Sequence, residues 1–185
     1  MRRKMQPWGD PKPKLKWISQ LLVLSLLLSA CVSNWTSKNI YKGNLSSDQL
    51  TQIALLIEET ENEPTGSRAD ELRQVLSLWL VESPNITVRI YNTLELSDEY
   101  KYKPLFTTQA MLLSAKYIIR NPGMEKEHLA IQVQTLEGLL DIYAKLLAAE
   151  GDAAKDPSLE SLTQKRADGL IEDYVQTIIA EVGDS

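Results

Sequence analysis

The 185-residue sequence has one cysteine and one histidine, and its eight glycines and eight prolines follow no repeating period. A lone cysteine excludes a disulfide framework within the chain, and one cysteine with one histidine cannot form a zinc site that needs several such ligands. The sequence also has no Gly-rich phosphate loop, nucleophile elbow, Cys pair or H-E-x-x-H pattern. We therefore expect no metal, no cofactor and no catalytic residues, although a carboxylate pair formed in space would leave no spacing to detect.

Acidic and basic residues are unevenly distributed along the chain. The formal net charge is -5, but residues 1–30 contain six basic residues and one acid. Residues 31–185 contain 14 Lys or Arg against 24 Asp or Glu. Because an acidic surface repels phosphates, this distribution argues against a nucleic-acid partner.

The first thirty residues have the order of a signal peptide. A basic stretch interrupted by prolines, residues 1–16, runs into an apolar stretch at residues 17–28. That stretch is shorter than the ~20 residues that a membrane-spanning helix needs, and it matches the ~7–15-residue apolar region of a secretory signal. The pair Arg2-Arg3 lacks the context of a twin-arginine signal, so we expect general secretion.

The apolar stretch ends in Leu28-Ser29-Ala30-Cys31, which is a large aliphatic residue, two small residues and the sole cysteine. This pattern resembles the lipobox of bacterial lipoproteins, and the resemblance covers residues 1–31. It implies cleavage between Ala30 and Cys31 and attachment of a diacylglycerol, with fatty acyl chains such as palmitate, to the Cys31 thiol. Two or three acyl chains, at ~0.8 kcal/mol per buried methylene, hold a protein lastingly on a membrane. The alternative is an ordinary secretory signal that leaves Cys31 as a free thiol.

The resemblance divides the chain into a cleaved signal peptide at residues 1–30, a lipidated N-terminus and flexible tether at residues 31–45, and a helical domain at residues 46–185. Val32 follows the cysteine, at the position where an Asp is the inner-membrane retention signal of enteric-type bacteria. Its absence resembles the lipoproteins sorted to the outer membrane. We therefore expect a lipid-anchored envelope protein on the periplasmic face of the outer membrane, if the source has one. The helical domain itself resembles no family.

Two helices are predicted directly after the tether. The first covers about residues 47–60 and the second ends near residue 83, with an acidic loop between them. Their start signals are Ser46 with Gln49, which form a capping box, and Ser67 with Asp70.

Three further helices are predicted in the second half of the chain. Pro104 begins the first of these, and the breaker Asn121-Pro122-Gly123 ends it. The next is the most strongly periodic, with Glu125 and Glu127 placed in its first turn, and Asp156 with Pro157 then starts a final helix that reaches about residue 182. The periodic stripe consists of Leu129, Val133, Leu136, Leu140, Tyr143 and Leu147.

Residues 86–91 are ambiguous between strand and helix. Ile86-Thr87-Val88-Arg89-Ile90-Tyr91 alternates and is rich in β-branched residues, as in a strand, but its sole candidate partner is residues 100–107, which Pro104 interrupts. With Ser83 as N-cap and Pro84 at the first helical position, the same residues also fit a short helix. We favour the helix.

Together these elements predict an all-α domain, either a five- to six-helix bundle or a stack of helical hairpins. The stripe from Leu129 to Leu147 could also form a coiled-coil seam between subunits. It spans fewer than three full heptads, and Leu139, Ile142 and Leu146 widen its apolar face. We therefore expect it to be buried inside one domain.

Three clusters are weak candidates for chemistry. The lone His128 follows Glu125 at the spacing of half a di-iron motif, but with no second His we expect a solvated or hydrogen-bonded residue. Residues 58–63 contain four carboxylates but lack the oxygen pattern of a calcium loop, so we expect a solvated charge run. Lys101-Tyr102-Lys103, with Tyr100 and Phe106, is a basic and aromatic cluster that could contact a glycan or a membrane surface.

Two hypotheses for function follow from these features. The first is a lipid-anchored, all-helical interaction or accessory module, such as a scaffold or pilot subunit, that contacts the membrane through Cys31 and binds an envelope protein. The alternative is an envelope enzyme or ligand-binding lipoprotein acting on cell-wall glycan or a small solute. Partner identity, biological process and oligomeric state are not encoded in any motif of this chain.

Overall fold

The computed structural model describes residues 44–183, and this part of the chain is all-helical, as predicted. It contains six α-helices and one short 3₁₀ helix, and no strand forms within these residues. The α-helices are α1 (Ser47–Asn62), α2 (Ser67–Glu82), α3 (Lys103–Arg120), α4 (His128–Glu150), α5 (Pro157–Ala167) and α6 (Ile171–Gly183), and the 3₁₀ helix is Gly151–Ala154.

Two predicted helix starts are confirmed. The Ser46 hydroxyl accepts a hydrogen bond from the Gln49 N–H at 3.3 Å, and the Gln49 side chain accepts one from the Ser46 N–H at 2.9 Å, which completes a capping box at α1. The Asp156 carboxylate accepts from the backbone N–H groups of Ser158 and Leu159 at the start of α5, and Pro157 occupies the first turn.

Helix α2 begins at Ser67 with Asp70 in its first turn, as predicted; its N-cap is Gly66, which gives no side-chain cap, and Asp70 pairs with the buried Arg73 of the same helix. The predicted start of α4 is wrong. The first turn of α4 contains no acid, because Glu127 is its N-cap residue and Glu125 accepts from the Gly123 N–H, 3.0 Å away, in the preceding turn. The carboxylates of Asp70 and Glu125 thus bind a nearby side chain and a nearby backbone N–H, and neither caps its helix.

Each helix packs against helices that are one or two positions away in chain order. Helices α1, α2 and α3 pack on one another, α3 packs along α4, and α4 contacts both α5 and α6. This is the order expected for successive helical hairpins. From the predicted stripe of α4, Leu136, Leu140 and Tyr143 are buried in the main core, and the other three members pack partly buried against it. Burial inside one domain is therefore confirmed for the stripe.

Helices α3 and α4 approach each other closely where small and polar residues face one another. Gly138 of α4 faces Leu113 of α3, and a Cβ added to this glycine would lie 3.1 Å from Leu113 Cδ1. One turn away, the buried hydroxyls of Ser114 and Thr135 are hydrogen-bonded at 2.9 Å. The two helices thus meet at a site that has no room for a larger residue and no unpaired hydroxyl.

The structure corrects two expectations about elements. Residues 86–91 form neither a helix nor a strand, because β-branched residues disfavour a helix and the candidate partner strand is instead absorbed into α3 from Lys103 onward. The single helix predicted after Asp156 is two helices. Gly169, at a φ of 72°, ends α5 in the left-handed conformation, and α6 begins two residues later.

Candidate functional site

The predicted lipid-attachment residue Cys31 and the predicted cleavage junction at Ala30 lie outside residues 44–183, which the structure describes. The lipobox therefore remains a prediction from sequence. None of the helices in the described range combines the length and the apolar character needed to cross a bilayer.

The most unusual feature of the described chain is the long connection between α2 and α3. It runs from Ser83 to Tyr102 and contains no helix or strand. Connections of this length without regular structure are uncommon in compact domains, and where they occur they often serve a function. We call its central part, residues 86–97, the clamped segment.

Three side chains from the second half of the chain hold the clamped segment in place. Gln132 of α4 donates to the Arg89 carbonyl at 3.2 Å, Tyr174 of α6 donates to the Thr93 carbonyl at 3.1 Å, and Ser158 of α5 donates to the Glu95 carbonyl at 2.7 Å. These three polar residues were not among the sequence candidates. The sequence contains one hint of this role, for two of the three residues: Gln132 and Tyr174 carry polar groups next to apolar positions of their helices.

Few of the other backbone groups of the clamped segment are paired with groups among residues 44–183. Among residues 86–96, one backbone N–H donates to an acceptor in the described chain, from Thr93 to the Tyr91 carbonyl at 2.9 Å. Ile90 is exposed to 68% of its maximum in the middle of this run. The segment is thus fixed at three carbonyls, and its backbone N–H groups have little hydrogen bonding within the described chain.

A cleft of about 740 Å³ borders the clamped segment. Its walls are residues 90–97, the first turns of α3 and the start of α5, including Lys103, Ala110 and Pro157. The charged groups in the walls are largely engaged, since Asp156 caps α5 and Lys103 pairs with Asp98. The cleft offers mixed polar and apolar contacts and no converging pair of free carboxylates.

His128 begins α4 at the edge of a smaller cavity of about 490 Å³. The centroid of the His128 ring lies 6.0 Å from that of the Tyr91 ring. The Arg89 guanidinium makes a cation–π contact with the same Tyr91 ring, 5.5 Å from its centroid. Glu125 also lines this cavity, and the Gly123 N–H lowers the pKa of its carboxyl. Within the described residues, no group of three His, Cys, Asp or Glu side chains is placed to hold a metal ion.

The acidic run at residues 58–63 is held in ion pairs rather than left solvated as expected. Glu58 contacts Arg120 at 2.6 Å, Glu59 contacts Arg68 at 3.3 Å, and Glu61 pairs with Lys116. These acids lie at the C-terminal end of α1, where the helix dipole disfavours negative charge, so the cations from α2 and α3 offset that cost. The run joins helices and leaves few carboxylates for a cation.

The aromatic rings of the basic and aromatic cluster around Tyr102 lie in or against the core, while its two lysines are at the surface. Tyr102 and Phe106 are buried, and Tyr100 packs against both rings, at 5.7 Å and 6.1 Å between centroids. Lys101 contacts Glu150 at 3.5 Å and lies over the Tyr102 ring at 4.5 Å, while Lys103 pairs with Asp98. The cluster therefore does not present a free aromatic surface to a glycan.

Two phenols in the core are held in their neutral form. Burial, together with the nearby charges of Asp156 and other groups, raises the pKa of Tyr100, whose hydroxyl donates to the Ala154 carbonyl at 2.8 Å. Burial and the hydrogen bond to Glu160 raise the pKa of Tyr143 to about 12. The two hydroxyls thus join helix α5 and the residues just before it to the core, through the Ala154 carbonyl and the Glu160 carboxylate.

Comparison with known proteins adds no relative. No family model matches this chain, and no curated protein or solved structure shows significant similarity to it.

Proposed function

We propose that this chain is a lipid-anchored lipoprotein of the bacterial cell envelope whose helical domain is an interaction or accessory module. The observation that carries the proposal is the sequence Leu28-Ser29-Ala30-Cys31, because the only cysteine of the chain lies at the one position that lipidation requires.

Metabolic labelling with a fatty-acid probe tests the anchor. The wild-type chain should be labelled and shortened by removal of the signal, and Cys31→Ser should lose the label and remain as precursor. A matched control moves the thiol by two positions, with Ser33→Cys added to Cys31→Ser. Because modification requires the cysteine directly after the small residues, this control should also remain unlabelled. Labelling of either variant contradicts the anchor.

For the interaction module, the clamped segment is the best-supported contact site. Its backbone N–H groups, few of which are paired among residues 44–183, suit an extended chain of a partner protein, which can add main-chain hydrogen bonds to such a segment. Glu95 and Glu99 are exposed nearby, and residues 31–185 carry 24 acids against 14 bases, so a partner chain with basic residues is favoured electrostatically.

Photocrosslinking in living cells tests this contact. A benzophenone amino acid at Ile90 should give one discrete protein adduct, and the same group at the exposed residue Gln176 on α6 serves as the matched control. Adducts of equal yield at both positions, or no adduct at Ile90, would contradict a specific contact at the clamped segment.

The cleft gives one specific observation in favour of the second candidate, a ligand-binding lipoprotein. Its volume of about 740 Å³ falls in the usual range of small-molecule sites. Against glycan hydrolysis, its Asp156 carboxylate is engaged as a helix cap. Thermal unfolding in the presence of soluble cell-wall fragments distinguishes the candidates, since a bound ligand raises the midpoint and a protein-docking module leaves it unchanged.

A further inference from the structure

The described chain begins at one end of the α1–α2 hairpin. Leu45 is buried, and its backbone N–H donates to the Asn85 side-chain oxygen at 2.9 Å, just after the end of α2. Because α1 starts at Ser47 and α2 ends at Glu82, this contact ties the start of the domain to the end of the hairpin where the two termini meet. Whatever precedes residue 44 reaches the domain at this place.

The length of the preceding chain limits how far this hairpin end can lie from Cys31. Twelve residues, 32–43, separate Cys31 from Asn44. A connection of this length spans at most ~45 Å. With acyl chains on Cys31, this hairpin end is therefore the part of the domain that is joined to the bilayer by the shortest length of chain.

Two aliphatic side chains at the same end are unusually exposed. Val81 is exposed to 82% and Leu78 to 58%, and the two lie three positions apart on the last two turns of α2. Isolated exposed aliphatic residues are common on protein surfaces, so exposure alone would require no explanation. What distinguishes this pair is its position within seven residues of Asn85, which binds the start of the domain.

The charged residues at this end of the hairpin indicate which kind of lipid surface it could contact. Asp48 in the first turn of α1 and Glu82 at the end of α2 are both exposed. These acids would be repelled by anionic lipid, so a contact here depends on apolar burial and suits a zwitterionic lipid surface.

We propose that the end of the α1–α2 hairpin that carries Leu78 and Val81 rests on the lipid interface of the membrane that holds the anchor. This inference rests on the proposed lipidation of Cys31. The two side chains enter the headgroup region, and the domain is thereby oriented on the membrane instead of hanging freely from its tether.

Lipidation itself provides a clean way to test this contact. Acylation consumes the Cys31 thiol, so Val81→Cys in the full, lipidated protein introduces the single free thiol of the chain. A fluorescent thiol probe is attached there, and the protein is placed in phosphatidylcholine vesicles that contain a nitroxide-labelled lipid. The same probe at Gln176→Cys, on exposed α6 surface, is the matched control.

Quenching at position 81 should exceed quenching at position 176 by at least about twofold, because a contact at headgroup depth brings the probe to the nitroxide. Adding Leu78→Asp should lower the quenching at position 81, and raising the salt concentration should leave it unchanged. Equal quenching at both positions, or loss of quenching at high salt, overturns the apolar contact while the anchor stands. If the probe instead labels the unsubstituted protein, the Cys31 thiol is free, and both the anchor and this inference fail.

Discussion

The Gln109 side chain, fully buried in α3, donates to the Thr60 hydroxyl of α1 at 2.8 Å, and Thr60 in turn donates to the Ile57 carbonyl at 2.6 Å. The two partners are therefore unequal. Thr60 keeps a bond within its own helix if Gln109 is replaced, but the Gln109 amide has no other described partner.

This difference predicts that replacing Thr60 and replacing Gln109 lower the free energy of unfolding by different amounts. Thr60→Val should lower the free energy of unfolding by ~1–3 kcal/mol, because it leaves a buried amide unpaired. Gln109→Met should cost less, since it removes the amide and keeps a similar volume. Urea unfolding of both variants and of the double variant measures the difference. A larger loss for Gln109→Met would contradict this assignment of roles.

The contact between Gly138 and Leu113 predicts that Gly138→Ala destabilises the domain. Alanine improves helix propensity by up to ~1 kcal/mol, but its Cβ would meet Leu113 at 3.1–3.2 Å in a packed interface, where overpacking costs ~1–3 kcal/mol. We expect a net loss of about 1 kcal/mol, measured by urea unfolding. Leu113→Val should be less harmful in the Gly138→Ala chain than alone, and strictly additive effects would count against this contact.

Alkaline pH should destabilise the protein through its buried phenols. The pKa of Tyr143 is about 12 in the folded protein, against about 10 for an unfolded tyrosine. A raised pKa means that the folded state holds the proton more tightly, so the stabilisation is full below pH ~10 and is lost between ~10 and ~12. Phenol absorbance during titration and urea unfolding at several pH values measure this loss. Tyr143→Phe should reduce the slope above pH ~10, and an unchanged slope would assign the effect to Tyr100 and Tyr174, whose pKa values are also raised.

Loosening the clamped segment should expose it to protease. Arg89 is exposed at its start, so trypsin can cut between Arg89 and Ile90 when the segment opens locally. Tyr174→Phe removes the bond to the Thr93 carbonyl and should speed this cut, while Thr177→Val removes a hydroxyl that bonds only within α6 and should not. Mass spectrometry of the first fragments measures both rates. Equal rates in the two variants would show that Tyr174 does not hold the segment.

The parts of the fold that sequence predicts well depend on contacts between near neighbours. The capping box at Ser46 and the cap at Asp156 are formed within three residues, and both were predicted correctly. The division between α5 and α6 had a local signal that was missed, because Lys165 and Arg166 followed by Gly169 are typical of a helix end.

The clamped segment, by contrast, depends on long-range contacts that no local pattern reveals. Its carbonyl bonds join residues 43, 63 and 81 positions apart. The sequence of residues 86–91 alone therefore does not fix their conformation, because the side chains that decide the course of the segment come from α4, α5 and α6. None of the contacts that hold the clamped segment was therefore predicted, and the contiguous motif that the sequence does contain, the lipobox ending at Cys31, lies outside the described residues.

The packing of helices that lie one or two positions apart in the chain also bears on how this protein reaches its structure. Most of these contacts close short loops, so little chain entropy is lost before they form, and helical domains rich in local contacts fold in microseconds to milliseconds. The long connection between α2 and α3 is the exception. Its clamping residues come from α4, α5 and α6, so it can be fixed only after the last helix has docked. Refolding followed by trypsin cleavage at Arg89 should therefore show protection of this bond as the final event, after helix formation is complete.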